Sequence, residues 1–183
     1  MRLRSLAMAA AALWLLPGAA SARTWTACPE GSKRGDCQFK GNGAIQAAVD
    51  AALDGDTILV GAGTYRPQAF RDLPFSDVVE DLTLRGFIVV RDKRLTILGE
   101  DGAILDDRDG IPSTAMVLSG ADVTVRNIVI RDFHYANGED KIYDGHGIFA
   151  VNSRVRIDRV TLLRLAKMGL TGRGATILDV SHL

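Results

Sequence analysis

One stretch of the sequence, residues 132–146, concentrates side chains that could do chemistry. It holds two of the three His residues and two of the three Tyr residues, together with four carboxylates and a lysine. Carboxylate oxygens are the ligands that Ca²⁺ prefers, and His or Lys can act as a general base beside a reacting proton. The candidate metal ligands are Asp132, Asp140 and Asp144, and the candidate catalytic residues are His134, Lys141 and His146. An ordinary solvated surface loop is the alternative interpretation.

A second group of acidic residues lies at 106–110, which reads Asp-Asp-Arg-Asp-Gly. Alternating acids before a glycine can hold Ca²⁺, but the twelve-residue spacing of an EF-hand loop is missing here. An ordinary acidic turn is the simpler interpretation of this segment.

The elements that must position these groups are indicated by two similar segments near the C-terminal end. Each begins with a glycine and an apolar residue, passes through a polar or glycine-rich turn and ends in an alternating strand. Corresponding residues lie 21 or 22 positions apart: Ile148 with Leu170, Ile157 with Leu178, and Val160 with Ser181. One such unit cannot bury its own apolar side chains. The repeat therefore predicts a parallel β-solenoid, in which successive units stack on one another.

Two longer spacings indicate where loops leave this stack. Val125 lies 28 residues after Ile97, and Ile157 lies 32 residues after Val125, so each gap carries an insertion. Insertions in solenoids emerge as loops on one face, which is often the binding face. Residues 132–146 are the larger insertion. Residues 176–181 are predicted as a strand with no cap after it, so we expect a missing C-terminal cap, with a fragment favoured over a covering partner or a frayed end.

An amphipathic helix precedes the strands. Its apolar residues follow one helical face: Ile45, Ala48, Val49, Ala52 and Leu53. Asn42 is the predicted N-cap and Gly55 the C-terminal stop. A strand at 56–60 and a Gly-Thr-Tyr turn come next. Residues 66–86 contain Pro67 and Pro74 and are predicted as an irregular excursion without a central strand.

This opening resembles that of the pectin-lyase-like superfamily of right-handed parallel β-helix proteins. The matching segments are residues 45–52 (Ile-Gln-Ala-Ala-Val-Asp-Ala-Ala), residues 55–60 (Gly-Asp-Thr-Ile-Leu-Val) and Gly63-Thr64-Tyr65. With the later repeats included, the resemblance covers residues 42–183. It implies an all-β, right-handed parallel β-helix with a short N-terminal capping helix. The motif is specific for the fold and says little about the reaction.

The resemblance also implies a class of substrate. Lyases of this superfamily cleave uronate polymers by removing the proton beside the carboxylate, with a cation such as Ca²⁺ to neutralise that carboxylate. An acidic polysaccharide is therefore the expected partner, for a lyase or a glycoside hydrolase. Aromatic and basic residues in and near the loop would bind it: Tyr135, Tyr143, Arg131, Arg164 and Lys167. A non-catalytic β-helix that binds glycan or protein, and a purely structural stack, are the alternatives.

Two short motifs are similar to those of the polygalacturonase family. Gly145-His146-Gly147 and Arg156-Ile157 resemble its Gly-His-Gly and Arg-Ile-Lys, and Asp106-Asp107 could be offered as its paired carboxylates. No clear Asn-x-Asp precedes them, and Asp158 stands where that family has Lys. Because glycine followed by an apolar residue is also what a solenoid corner requires, this match is weaker.

The N-terminus is typical of a secreted or periplasmic protein. Residues 1–22 combine Arg2 and Arg4 with an apolar run too short to span a bilayer and a small-residue cleavage site, which predicts a signal peptide. Its removal leaves 20 basic against 22 acidic residues, a net charge of −2. This balance argues against nucleic acid or anionic lipid as the main partner. No later stretch could span, so no membrane association is expected after cleavage.

The two cysteines lie in the lead-in, residues 23–41, which is predicted to be irregular. Cys28 and Cys37 are separated by eight residues, and in an oxidising compartment they are expected to form a disulfide. A metal site or a catalytic thiol is a poorer interpretation, since no His lies nearby.

Overall fold

The computed structural model describes residues 21–76, 81–135 and 142–183. Strands dominate these residues and form two largely parallel sheets, so the prediction of an all-β chain with parallel strands is confirmed. One short helix accompanies them, α1 (Ala44–Ala51). The strands are β1 (Thr24–Cys28), β2 (Phe39–Lys40), β3 (Thr57–Val60), β4 (Gly63–Tyr65), β5 (Arg71–Ser76), β6 (Asp81–Arg91), β7 (Arg94–Gly99), β8 (Ala103–Asp106), β9 (Thr114–Ser119), β10 (Asp122–Arg131), β11 (Ile142–Tyr143), β12 (Ile148–Val151), β13 (Arg154–Leu163), β14 (Leu170–Arg173) and β15 (Ile177–Ser181).

The chain alternates between the two sheets. The first sheet has the order β15-β13-β10-β7-β3-β1-β2, with β8 paired to both β10 and β4. The second has the order β11-β6-β9-β12-β14, and β5 joins it by an antiparallel pairing with β6. From β7 onward, each visit to the second sheet is followed by a strand that pairs with its predecessor in the first.

The strand register follows the spacing of the apolar residues. Val125 of β10 pairs with Ile97 on one side and with Ile157 on the other. Ile148 pairs with Leu170, as the repeat predicts.

One predicted correspondence is wrong, because Leu178 lies opposite Val155 and Ile157 lies opposite Val180. In the same way, Ser181 pairs with Asp158 and not with Val160. The turn at 174–176, between β14 and β15, is one residue longer than the turn at 152–153, between β12 and β13. The last strand is therefore shifted along its neighbour.

A bend divides the first sheet along β10. Before Asn127 this strand pairs with β7, and after it with β8. Asn127 has a φ of 53°, and its side chain donates to the carbonyl of Gly99 at 2.9 Å. A Cβ on Gly99 would lie 2.1 Å from the carbonyl oxygen of Asn127, so only glycine fits there. Arg159, with the same φ, is the corresponding unpaired residue of β13. These left-handed residues turn both strands at the same level.

The apolar side chains between the sheets form one main core. Its fully buried members include Ile58, Ile97, Leu105, Val125 and Ile130. Each such side chain contributes about 1.5–3 kcal/mol when it is removed from water. The stacked strands thus supply the core that no single pair of strands could form.

Helix α1 packs its apolar face, including Ile45, Ala48 and Val49, against this core. The predicted N-cap is wrong: Gly43 occupies that position without a side-chain bond, and Asn42 instead accepts a hydrogen bond from the backbone of Arg66. At the other end, the Lys93 ammonium donates to the carbonyls of Val49, Asp50 and Ala52. These bonds satisfy carbonyls that a helix end leaves without partners.

The lead-in is more regular than expected. Strand β1 pairs with β3 and extends the first sheet, and β2 adds to its edge. The predicted disulfide between Cys28 and Cys37 is confirmed. The excursion at 66–86 also contains a strand, β5, which carries Pro74 and pairs only with β6. An edge strand tolerates proline, because its outward N–H need not enter a ladder.

No helix in the described part of the chain has the length and apolar character to cross a membrane. Residues 1–20, and with them nearly all of the predicted signal peptide, lie outside the described residues.

Candidate functional site

Three parallel strands end side by side at one corner of the molecule. Asp106 at the end of β8 pairs with Arg131 at the end of β10, and Arg131 pairs with Leu163 at the end of β13. The backbone bonds continue past the strands, from Asp107 N to the Arg131 carbonyl and from Asp132 N to the Leu163 carbonyl. The three loops that follow are therefore neighbours, although their starts are separated by 24 or more residues of sequence.

Asp132 joins the loops through arginines. Its carboxylate accepts hydrogen bonds from Arg164 at 2.6 and 2.7 Å and from Arg108 at 3.3 Å. The hydrogen bonds from Arg164 are the main cause that lowers the pKa of Asp132 to about 2. Both oxygens of this predicted calcium ligand thus already face guanidinium groups.

Arg131, a predicted substrate-binding residue, turns inward to a different partner. Its Nε and Nη2 lie 2.9 and 2.6 Å from Oδ2 of the buried Asp106. This pair holds the end of β8 against β10. Arg131 therefore supports the corner, while Arg108 and Arg164 face its opening.

His134 is held by a buried carboxyl group. Oδ2 of Asp107 lies 3.1 Å from Nδ1 of His134 and accepts from its backbone N–H at 3.4 Å. Asp107 is 0% exposed, whereas the His134 side chain is 40% exposed. An Nδ1–H donor satisfies Oδ2, so Nε2 carries the lone pair of the neutral ring.

The burial of Asp107 also raises its pKa to about 8. Loss of hydration is the largest cause, and the charges of Asp144 and Asp106 add to it. Its Oδ1 has no hydrogen-bond partner in the described part of the chain and faces Gly110, where a Cβ would lie only 2.2 Å away. The carboxyl group is therefore fixed by packing on one side and by His134 on the other.

A pocket of about 330 Å³ opens at this corner, and we call it the corner pocket. Its lining comprises Arg108, Asp132, Phe133, His134, Arg164, Leu165 and Ala166. Two arginines and one carboxylate leave it with an excess of positive charge. A half-exposed imidazole beside guanidinium groups can accept a proton from a molecule whose anionic group those arginines hold.

His146, predicted as catalytic, lies away from solvent. It is 1% exposed, and its Nδ1 is 3.1 Å from the Thr171 hydroxyl. Tyr143 stacks on its ring at 6.0 Å, and Phe149 meets it edge-on at 5.2 Å. Burial, with a smaller effect of Lys167, lowers the pKa of His146 to about 4. The neutral ring is thus part of an aromatic cluster.

Asp144, the third predicted calcium ligand, is buried next to Arg85, with 3.6 Å between Oδ2 and Nη1. Asp140 and Lys141 lie outside the described residues. Within the described ranges, no group of three or more His, Cys, Asp or Glu residues could hold a metal ion. Calcium binding stays a prediction.

Lys167 connects the two predicted tyrosines. Its Nζ lies 4.8 Å from the ring centroid of Tyr143 and 5.5 Å from that of Tyr135, and the Tyr135 side chain is exposed. Cation–π contacts of this kind fix the ammonium group beside the corner pocket. The three residues form a basic aromatic surface that we call the Tyr–Lys shelf.

The structure thus divides the predicted site. His134, Asp132 and Arg164 line the corner pocket, and Tyr135, Tyr143 and Lys167 form the shelf. Asp107 and Arg108 were interpreted as part of an ordinary acidic turn. Strand register could have found them, since aligning Ile97 with Val125 continues through the insertion to bring 106–108 next to Asp132.

Comparison with protein-family models, with curated proteins and with solved structures finds no match to this chain.

Proposed function

We propose that this protein acts on an acidic polysaccharide, as a lyase that cleaves next to a uronate unit. The observation that carries this proposal is the corner pocket itself. His134, oriented by the buried Asp107, faces a cavity in which Arg108 and Arg164 can hold a carboxylate. A uronate presents the matching groups, because its acidic C–H is adjacent to a carboxylate.

The chemistry requires three events at this pocket. The arginines neutralise the uronate carboxylate, which acidifies the neighbouring C5–H. Nε2 of His134 removes that proton, and the electron pair forms the C4–C5 double bond while the C4–O bond breaks. The departing oxygen takes a proton from water. Asp107 keeps the imidazole in the tautomer with a free Nε2 and stabilises the imidazolium that forms.

The proposal also includes a fold assignment. We propose a right-handed parallel β-helix of the pectin-lyase-like kind, supported by parallel registers, by alternation between two sheets and by the left-handed residues Asn127 and Arg159 at one bend. Helix α1 would then cap its N-terminal end. Such folds carry many activities, so the reaction is argued from the site and not from the fold.

Export is part of the same proposal. The sequence of residues 1–22 and the disulfide between Cys28 and Cys37 support a secreted or periplasmic location, where structural disulfides persist. A secreted or periplasmic enzyme would meet polysaccharide directly.

Hydrolysis is the second candidate, and one observation favours it. Asp107 has a pKa raised to about 8, and Asp144 is near enough to contribute to that shift. Two carboxyl groups with separated pKa values are the usual acid and base of glycoside hydrolases. Both groups are buried, however, so this mechanism requires the loop around Gly110 to move.

The test uses the mature chain with pectate and with alginate. A lyase generates an unsaturated uronate that absorbs in the ultraviolet, whereas a hydrolase releases reducing ends without that absorbance. His134→Ala should abolish turnover, and His182→Ala should not, because His182 is an exposed histidine paired with Asp158 outside the corner pocket. A chelator tests the predicted calcium dependence.

Each outcome is decisive. Equal turnover in His134→Ala and in the parent would remove this histidine as the base. Reducing ends without ultraviolet absorbance would favour the hydrolase. Binding of either polymer without any product would leave a glycan-binding protein, for which the Tyr–Lys shelf is the natural contact surface.

A further inference from the structure

A second cavity lies between helix α1 and the segment that leads into β5. It has a volume of about 370 Å³, and we call it the helix pocket. Phe87 forms its floor, and Ala47 of α1 and Ala69 and Phe70 of the opposite segment form apolar walls. The guanidinium of Arg85 lies 4.2 Å from the centroid of the Phe70 ring and fixes its orientation. Cavities of this size with mixed lining are typical of small-molecule sites.

The charges of the helix pocket compensate each other. Arg71 donates to both carboxylate oxygens of Asp50, at 2.8 and 2.5 Å, and Gln46 also donates to Asp50. Among the described residues, no other charged group lines this cavity. The exposed Gln68 amide makes no hydrogen bond within the described ranges, so it offers a donor and an acceptor at the rim. A ligand here meets apolar walls and neutral polar groups.

The helix pocket adjoins the corner pocket. Phe87 of the first and Phe133 of the second are in contact, with ring centroids 6.5 Å apart. The loop that carries Asp107 is also bound to the segment before Phe70, since Ile111 N donates to the Pro67 carbonyl at 3.1 Å. An extended molecule can therefore contact both cavities.

We propose that the helix pocket binds an uncharged sugar unit of the same glycan. A neutral sugar ring has apolar C–H faces that pack on Phe70 and Phe87, and hydroxyl groups that bond with Gln68 and the paired Asp50 and Arg71. A uronate carboxylate would find its only guanidinium here already paired. This inference rests on the proposed function of the corner pocket, and it makes the substrate a polymer that contains both acidic and neutral units.

Saturation-transfer NMR on the mature chain tests the ligand class. Galactose and glucose are the neutral probes, and galacturonate is the acidic probe. Ala69→Trp fills the helix pocket, and Ala62→Trp is the control, since Ala62 is exposed and lines neither cavity. We expect transfer to a neutral sugar in the parent and in Ala62→Trp, and loss of about tenfold or more in affinity in Ala69→Trp.

The same variants separate this inference from the proposed function. Loss of turnover in His134→Ala, with neutral sugars bound equally by the parent and Ala69→Trp, would overturn the sugar site and keep the lyase. Neutral sugar binding that Ala69→Trp abolishes, in a chain without turnover, would keep the site and reject the lyase. Absence of transfer to both neutral probes in the parent would overturn the inference directly.

Discussion

Oδ2 of Asp107 lies 3.1 Å from the Nδ1 atom of His134 and 3.4 Å from its backbone nitrogen, so one oxygen holds this residue at two points. The carboxyl group belongs to the loop after β8, and the histidine to the loop after β10. Their meeting depends on the pairing of Asp106 with Arg131 at the ends of those strands. The backbone register therefore sets the orientation of the exposed imidazole.

The first prediction separates the oxygen of Asp107 from its charge. Asp107→Leu removes the acceptor and should lower kcat on the glycan by about a hundredfold with little change in KM, because His134 loses its orientation. Asp107→Asn keeps an acceptor. Since the pKa of Asp107 is raised to about 8, the group is largely neutral at pH 7, and this variant should retain most activity there.

The pH profile provides the second readout of this pair. Ionisation of Asp107 above pH 8 should stabilise the imidazolium and raise kcat in the parent, and Asp107→Asn should lack that rise. Asp109→Leu is the control, because Asp109 is an exposed acid in the same loop. Equal losses in Asp107→Leu and Asp109→Leu would contradict a specific role for Asp107.

The second prediction acts on Asp107 through Gly110. A Cβ at this position would lie 2.2 Å from Oδ1 of Asp107 and 3.0 Å from Pro67, so Gly110→Ala must displace the carboxyl group. We expect kcat to fall about tenfold or more while the corner pocket lining stays unchanged. Gly35→Ala is the matched control, since a Cβ there meets nothing within 4 Å. Unaltered kcat in Gly110→Ala would show that the position of Asp107 does not matter.

The sequence was informative wherever apolar spacing decided the structure. The 28-residue and 32-residue gaps around Val125 appear as strand pairs, and Ile148 lies opposite Leu170. These matches follow from local patterns, because a parallel register must place like side chains on the same face. The shift of β15 was missed because one extra turn residue leaves no apolar signal.

The site was harder to predict, because its parts come from separate loops. The histidine at 134 was identified from its residue type, but its partner at 107 required the register of β8 against β10. His146 was assigned a catalytic role from the same chemistry, and the structure buries it between Tyr143 and Phe149. Residue type does not report which side of a loop faces the protein.

The third prediction concerns the stability that His146 contributes. Its pKa is lowered to about 4 in the folded chain, against an ordinary value of 6.5, because the buried ring resists protonation. The unfolded chain therefore binds the proton first, and stability is lost as the pH falls from 6.5 towards 4. His146→Phe keeps an aromatic ring between Tyr143 and Phe149 and cannot titrate.

Urea denaturation between pH 7 and pH 4 measures this effect. His146→Phe should lose about 1 kcal/mol at pH 7, since the bond to Thr171 is gone, and should lose less stability than the parent as the solution is acidified. His182→Phe should follow the parent, because His182 is exposed. A parent-like pH slope in His146→Phe would contradict the assignment of this effect to His146.

The fourth prediction concerns the arginine contacts of Asp132 at lower pH. Hydrogen bonds from Arg164, followed by those from Arg108, hold the pKa of Asp132 near 2, below its ordinary 3.8. The carboxylate thus stabilises the fold above pH 3.8, and that contribution is lost as the pH falls towards 2. Because Arg164 is largely exposed, solvent screens the pair, and Asp132→Asn should cost only about 1 kcal/mol or less at pH 7.

Acid titration of the free energy of unfolding distinguishes this contribution from general charge effects. The parent should lose more stability than Asp132→Asn between pH 4 and pH 2, and about 1 M salt should narrow the difference at pH 7 by screening the arginines. Asp179→Asn, at an exposed acid in β15, should keep the slope of the parent. If Asp132→Asn and Asp179→Asn gave the same curve, the three loops of the corner would be held by packing alone, without the ion pairs.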